Sequence, residues 1–324
     1  MLEDAYARKF YYLRLSITDV CNFSCNYCLP DGYHAQHDES FLNLSEIKTV
    51  TSAFARLGTN KIRITGGEPS LRKDLPDIIA HCAQTPGIKK VAMTTNGFRM
   101  EKDIERWLDA GLNAINVSVD SLFSEQFNQI TGTQSFKKVM AGIDKAVDLG
   151  FTNLKLNSVL MRQGQQANLK RFLEWIKDRP VEVRFIELME MAENKDYFDK
   201  HHSSGSSLKD QLLAMGWQQQ IVSKNAGPAQ VFGHRDYKGK IGLIMPYSKD
   251  FCASCNRLRI SARGHLHLCL FSDAGIDLRQ YLQLDDGGLA LSEQLIMHIQ
   301  GKKVSHFLHQ HDSGATQNLA SIGG

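Results

Sequence analysis

Tyr11-Tyr12-Leu13-Arg14-Leu15-Ser16-Ile17 runs through Thr18-Asp19-Val20 into Cys21-Asn22-Phe23-Ser24-Cys25-Asn26-Tyr27-Cys28. A β-rich run delivers a C-x3-C-x2-C loop, and five more such runs follow, at 61–65, 90–94, 114–119, 154–160 and 181–188. They are rich in Val, Ile and Leu and largely continuous, as strands buried on both faces should be. Helical patterns with readable ends lie between them. Ser45 reads as an N-cap with Ile47, Val50, Phe54 and Leu57 inward and Gly58 as the stop. Asp74 caps a second helix with Pro76 in its first turn and Gly87 beyond its end. Residues 101–110 stop at Gly111, and 135–149 stop at Gly150. Strands alternating with helices of this length mean βα units, right-handed crossovers and a parallel sheet. Six units give an α/β fold with a curved sheet or an incomplete (βα)6 barrel, two units short of a closed one.

The remaining composition bounds the class. With 324 residues, 42% hydrophobic, 23% charged, 25 Gly and 7 Pro, the chain is no disordered, collagen-like or coiled-coil protein. By length it is about two domains, divided here as 1–200 and 201–324. Residues 189–207, polar and ending in His201-His202-Ser203-Ser204-Gly205-Ser206-Ser207, read as the linker between them. Beyond it a helix at 208–215, strands at 217–222, 230–234 and 241–245, and a helix near 292–299 are expected. No run is apolar enough for a membrane span, and residues 1–10 are charged with no apolar core of a signal, so a cytoplasmic protein is expected. A net charge of +3 is too small to imply nucleic acid, though it suits a locally basic pocket for an anion.

Seven cysteines divide unevenly. Cys82, inside Ile78-Ile79-Ala80-His81-Cys82-Ala83, reads as core. Cys21, Cys25 and Cys28 form one triplet, and Cys252, Cys255 and Cys269 a second. Thiolates are soft ligands for zinc or iron–sulfur clusters. A cubane cluster wants four ligands, and the first triplet has no nearby fourth, which leaves one iron open. The second, C-x2-C-x13-C, could also be most of a zinc ribbon with His265 or His267 as fourth ligand. A metal-holding interaction protein therefore stands as an alternative to an enzyme.

The first triplet, set after strand one of a six-unit βα domain, resembles the radical S-adenosylmethionine superfamily. The resemblance implies a 4Fe–4S cluster on Cys21, Cys25 and Cys28, whose open iron chelates the methionine moiety of S-adenosylmethionine. Electron transfer then yields a hydrogen-abstracting adenosyl radical. Tyr27 would contact the adenine. Gly67, in Thr65-Gly66-Gly67-Glu68-Pro69, would hold the methionine amino group, with Ser118 and Met189 on the same rim. Taken without the resemblance, the glycine pair reads equally as a tight turn at a strand end.

The text around the second triplet narrows this. Gly242-Leu243-Ile244-Met245-Pro246-Tyr247, Cys255-Asn256-Arg257-Leu258-Arg259-Ile260 and the closing Gly323-Gly324 resemble, over nearly the whole chain, the GTP-cyclising lyase family of molybdenum cofactor biosynthesis. Met245 departs from the family's usual small residue. The resemblance implies a second 4Fe–4S cluster on Cys252, Cys255 and Cys269 that binds the guanine of GTP. Arg14, Arg63, Thr94, Lys155, Arg257 and Arg259 would contact the nucleotide, with Arg257 also catalytic. The tail would enter the active site. It further implies a low-potential, flavodoxin-like electron donor, a downstream cyclic pyranopterin monophosphate synthase, a homodimer, and two clusters facing one another across the barrel mouth. Cations inside strands are odd in themselves and favour a cleft, since a buried charge needs a partner; Arg184 is a further one with no role assigned. A radical enzyme that modifies peptides, its second cluster an electron carrier, is the alternative within the same chemistry.

Overall fold

The first six strands are β1 (Tyr12–Ser16), β2 (Lys61–Thr65), β3 (Lys90–Thr95), β4 (Ala114–Ser118), β5 (Leu154–Leu160) and β6 (Glu182–Glu187), all paired in parallel and in sequence order. The computed structural model describes residues 1–35, 40–191, 194–221, 227–271, 275–310, 312, 314 and 322. Helices α1 (Leu44–Arg56), α2 (Leu75–Gln84), α3 (Met100–Asp109), α4 (Ser124–Thr131), α5 (Phe136–Asp148) and α6 (Gln165–Ile176) supply the crossovers. They cover the outer face of the sheet, where Leu13, Leu15, Ile62, Ile64, Ile115, Val117 and Leu156 are fully buried.

The strands are not continuously apolar, as the sequence reading expected. β5 and β6 alternate strictly between buried and half-buried residues. Every second residue of the six strands faces inward, and the inner series is mostly polar: Tyr12 and Arg14, Lys61 and Arg63, Thr94, Asn116, Lys155 and Asn157, Arg184, with Ala114, Val159 and Ile186 among them. Side chains of a strand alternate faces, so an apolar outer series and a polar inner one mean a barrel that encloses a cavity rather than a packed core.

The segment after residue 200 extends the same sheet at both edges. β7 (Gln218–Gln220), β8 (Gln230–Gly233) and β9 (Lys240–Ile244) add beyond β6, with β9 parallel to it; β10 (Arg257–Ile260), β11 (His265–His267) and β12 (Ile276–Asp277) add beyond β1, with β10 parallel to it. The order is β12-β11-β10-β1-β2-β3-β4-β5-β6-β9-β8-β7, and the sheet does not close. The connection from β9 to β10, which carries Cys252 and Cys255, therefore bridges from one flank of the six-stranded barrel to the other. No helix among the described residues is long and apolar enough to cross a membrane.

Two local expectations are corrected. Asn43, not Ser45, caps α1: its side chain accepts from the Glu46 amide while the Glu46 carboxylate accepts from the Asn43 amide, a reciprocal capping box. The 189–207 stretch is not a linker but mostly helix, with α7 (Lys195–His201) followed at once by α8 (Gly205–Ala214). Phe198 is buried, and its ring lies 4.5 Å from that of His202, which bonds Glu187 through Nε2 at 3.1 Å. The aromatic–imidazole pairs Tyr197–His201 and Phe198–His202 stand four residues apart, the helical spacing that the polar composition concealed. Beyond α9 (Arg279–Leu282), α10 (Leu289–Ile299) packs against α1 and starts earlier than expected.

Candidate functional site

One cavity of about 730 Å³ runs through the barrel and is lined by both thiol triplets. The first triplet follows the C-terminal end of β1. Its loop is held by main-chain bonds to the end of α4, Ser24 N–H to Thr131 O and Asn26 N–H to Ile130 O, both 3.0 Å. The Cys28 and Leu29 amides turn back on the Cys25 carbonyl, which keeps the three thiols on one short arc. Burial pushes the Cys21 thiol up to about 11 and the Cys25 thiol well above its ordinary value. Left alone these are neutral thiols; a bound metal deprotonates a coordinating thiol.

The Gly66-Gly67 turn fits against this loop closely. Gly67 N–H donates to Thr18 O at 2.8 Å and Glu68 N–H to Val20 O at 2.7 Å. A Cβ on Gly67 would stand 2.4 Å from the carbonyl oxygens of Asp19 and Val20, and one on Gly66, at φ +148°, 2.3 Å from Thr18 O. The glycines thus admit a neighbouring backbone, and Gly67 lines the cavity as well. Glu68 fastens the turn: its buried carboxylate accepts from the Ser70 and Asn96 amides and the Thr95 hydroxyl.

Tyr27, Ser118 and Met189 also line the cavity. The Tyr27 hydroxyl donates to Asp120 at 2.9 Å. Asp120 is buried, which pushes its carboxyl up to about 6, while the Val159 amide and Tyr27 hydroxyl hold it back. Asp120 gave no signal in the sequence; it is an ordinary acid after β4, and only the fold brings it under Tyr27.

The strand cations meet. Arg259, Arg14 and Arg63 pair at one register level across β10, β1 and β2. Burial brings the Arg14 guanidinium down to about 10, with Arg63 and Arg257 adding repulsion, and Arg259 is lowered well below its usual range for the same reasons. Arg63, 5% exposed, donates from Nε to the Tyr12 hydroxyl at 2.5 Å and from one terminal nitrogen to Met93 O and the Thr94 hydroxyl. Burial alone would raise the Tyr12 phenol, but Arg63, Arg14 and Lys61 outweigh it and bring it to about 7. Lys155 is bonded to Glu182, which also accepts from Arg184 Nε at 2.5 Å; this gives Arg184 its place, on the cavity wall in a three-membered ion group. Tyr12, Lys61 and Lys90 line the cavity too and were missed, being unremarkable until the alternation of the strands is known; so was Lys302, which reaches it from the turn after the last long helix.

The second triplet lies at the other end. Cys255 is two residues before Arg257, which pairs with Tyr12 at the start of β1, whereas Cys21 lies past the finish of β1. The two thiol groups thus stand toward opposite ends of the barrel rather than across one mouth. Arg8 ties the N-terminal segment to this region through Cys252 O, Lys303 O and Val304 O. Burial would raise Cys255, yet Arg257, Lys302 and Arg8 reverse it and lower the thiol. Cys252 is raised by burial, eased by bonds from the His306 amide and the Ser305 hydroxyl. Among the described residues no group of three or more His, Cys, Asp or Glu gathers closely enough for a single ion. Cys25 lies within electrostatic reach of Cys21 and Cys28, and Cys252 of Cys255 and Cys269, so each triplet offers three soft donors, the donor chemistry of an iron–sulfur cluster with one iron left open. His265 and His267, on β11, are not among the cavity-lining residues, and Cys82 is buried in α2. Arg259 donates to the carbonyl of Ile322 at 3.3 Å, and Ile322 is buried; Gly323 and Gly324 lie outside the described residues.

Comparison with known proteins agrees with this geometry. Residues 15–176 match the Radical SAM superfamily and residues 181–308 match Molybdenum Cofactor Synthesis C. The GTP 3′,8-cyclase of Vibrio atlanticus (strain LGP32) is 60% identical over 324 residues, 99% of this chain and 97% of that protein. The GTP 3′,8-cyclase of Yersinia pestis is 59% identical over 323 residues, 100% of this chain and 99% of that protein. Among solved structures, Streptococcus suis SuiB bound to S-adenosylmethionine superposes with a TM-score of 0.63 at 12% identity, covering 90% of this chain and 68% of that one. That last likeness is one of fold alone. A radical-enzyme sheet, two cysteine triplets in one cavity and full-length identity of this order lead to one assignment: the chain belongs to the GTP 3′,8-cyclase family of the radical S-adenosylmethionine superfamily.

Proposed function

We infer that this chain cyclises GTP between ribose C3′ and guanine C8 to (8S)-3′,8-cyclo-7,8-dihydroguanosine 5′-triphosphate, the first step of molybdenum cofactor biosynthesis. The observation that carries the reading is the row of three guanidinia, Arg259, Arg14 and Arg63, between two thiol triplets in one cavity. Like charges packed side by side raise one another's cost, and a polyanion between them removes it.

Cys21, Cys25 and Cys28 would hold a 4Fe–4S cluster, and Tyr27, Gly67, Ser118 and Met189 would hold S-adenosylmethionine. Cys252, Cys255 and Cys269 would hold the second cluster. When bound, the first cluster and S-adenosylmethionine supply a hydrogen-abstracting radical. The chain's own residues supply the rest. Arg14, Arg63 and Arg259 take the triphosphate, with Thr94 fixing the Arg63 fork. Lys155 enters already bonded to Glu182, so it offers the nucleotide only its remaining protons. Arg257, at the start of β10, is the catalytic cation beside the second triplet. Ile322 bonded to Arg259 supports a tail that closes on the substrate. An external low-potential, flavodoxin-like donor, a downstream cyclic pyranopterin monophosphate synthase and a homodimer complete the proposal, with 1–200 as the radical unit and 201–324 as the second-cluster unit.

The test is anaerobic reconstitution with iron and sulfide, then incubation with GTP, S-adenosylmethionine and a reductant, with products separated by chromatography before mass spectrometry. A cyclised nucleotide isobaric with GTP together with deoxyadenosine is expected. Deoxyadenosine with GTP returned unaltered would overturn the substrate assignment.

A further inference from the structure

Six cations gather around Tyr12. Arg14 follows it on β1, Lys61 and Arg63 flank it from β2, and Arg257 pairs with it from β10. Lys90 on β3 and Arg259 on β10 lie within electrostatic reach of it. Tyr12 lines the cavity and is 6% exposed. Its hydroxyl oxygen accepts from Arg63 Nε at 2.5 Å, and Lys61 Nζ stands 4.1 Å from the ring centroid. Among the described residues of the cavity wall the one carboxylate is Asp120, at the end of the barrel that holds the first triplet and bonded to Tyr27. The Glu182 carboxylate, behind the wall, is taken by Lys155 and Arg184.

Like charges packed this closely need an anion among them, and the phenol of Tyr12 stands where that anion is needed. Burial would raise it, but Arg63, Arg14 and Lys61 outweigh burial and bring it to about 7. Ionised, it returns one negative charge to the row and makes its bond from Arg63 a charge-assisted one. A polyanion in the same cavity reverses the preference. The ligand then neutralises the cations, the phenolate faces a like charge, and its protonated form is favoured.

We propose that Tyr12 is a positioning residue that holds the charge of the row: its phenolate stands among the cations before the substrate arrives and takes up one proton from solvent when a polyanion enters. The step is phenolate plus one proton to phenol, and no other bond is made or broken. It acts through the cations and needs no contact between Tyr12 and the ligand. This rests on the reading of the cavity as the site of a triphosphate.

The experiment adds inorganic tripolyphosphate, which does not absorb in the tyrosinate band, to the anaerobic reconstituted enzyme at pH 8 without reductant. Wild type should show a tyrosinate band that tripolyphosphate removes, and Tyr12→Phe should show none. Tyr27, Tyr197 and Tyr247 do not contribute, since burial pushes all three up. Titration calorimetry in buffers of different ionisation heat should count about one more proton taken up by wild type than by Tyr12→Phe; the ligand's own protons cancel in that difference. The bound state keeps a proton that the free state has shed, so affinity falls as pH rises. Between pH 7 and pH 9 wild type should lose about tenfold or more relative to Tyr12→Phe. Tripolyphosphate that binds wild type with the band unchanged and a proton count equal to the variant's overturns the role of Tyr12 and leaves the triphosphate reading standing. If neither tripolyphosphate nor GTP binds wild type, the triphosphate reading falls, and this inference with it. Should Tyr12→Phe misfold, loss or persistence of the wild-type band decides alone.

Discussion

Arg63 carries a contact to each of its neighbours: Tyr12 through Nε, Met93 and Thr94 through one terminal nitrogen. Removing it should weaken GTP binding by about 1.5 kcal/mol or more, the scale of a charge-assisted hydrogen bond. Guanosine, without phosphates, should bind wild type and Arg63→Ala about equally. Titration calorimetry with both ligands checks this, and an equal loss for both would assign Arg63 to folding. Tyr12 gives a second prediction. Its phenol, ordinarily near 10.0, is brought to about 7. A lowered folded-state value means the ionised form is favoured in the fold. The stabilisation is complete above the unfolded value and is lost as pH falls through about 7. The urea midpoint of wild type should therefore rise relative to that of Tyr12→Phe between pH 7 and pH 9, and ultraviolet titration should find a phenolate near pH 7 that the variant lacks. A parallel pH course for both proteins would remove Tyr12 from the cation group. Arg14 and Arg63 were legible because a charge inside an apolar run is conspicuous, and Arg259 through the text around the second triplet. Tyr12, a common strand residue, and Asp120, which acts through Tyr27 from another strand's end, were not.

At the scale of elements, the Gly66-Gly67 turn and the first thiol loop are two backbones in contact. A methyl at Gly67 must displace Asp19 and Val20, and with them the approach to Cys21. Gly67→Ala should lower the iron retained at the first triplet by roughly half or more, given backbone overlaps that no rotamer relieves. Iron and sulfide analysis after reconstitution would show it; full loading would mean the turn yields more easily than its bonds imply. The six strands and most of the helices could be read from period and stops. The turn's glycines could be read too, but their immediate reason, another loop's carbonyls, could not, because the sequence does not say what a strand end touches. The α7 helix was hidden for a related cause. Its stability comes from Phe198 packing on His202 and Tyr247, a contact with a residue far along the chain, while its own composition is that of a loop.

For the whole molecule, the register separates the two thiol triplets toward opposite ends of a single cavity, so they should be separable in experiment. Cys255→Ala should keep about half of the iron and still cleave S-adenosylmethionine reductively, while losing GTP cyclisation. Cys25→Ala should lose both reactions. Deoxyadenosine and cyclised nucleotide, measured in one assay, distinguish the cases, and normal cyclisation by Cys255→Ala would refute the role of the second triplet. The sequence marked the two triplets, yet it could not show that the segment after residue 200 lends strands to both flanks of the six-stranded part. That topology bears on biogenesis. β6 is a bare edge until β9, at 240–244, has been made, and β1 until β10, at 257–260, their main-chain donors and acceptors open to any passing strand. A nascent or truncated chain ending near residue 200 is accordingly an aggregation hazard, and the long wait for β10 to dock beside β1 makes the barrel a late event of synthesis, one that calls for chaperone cover.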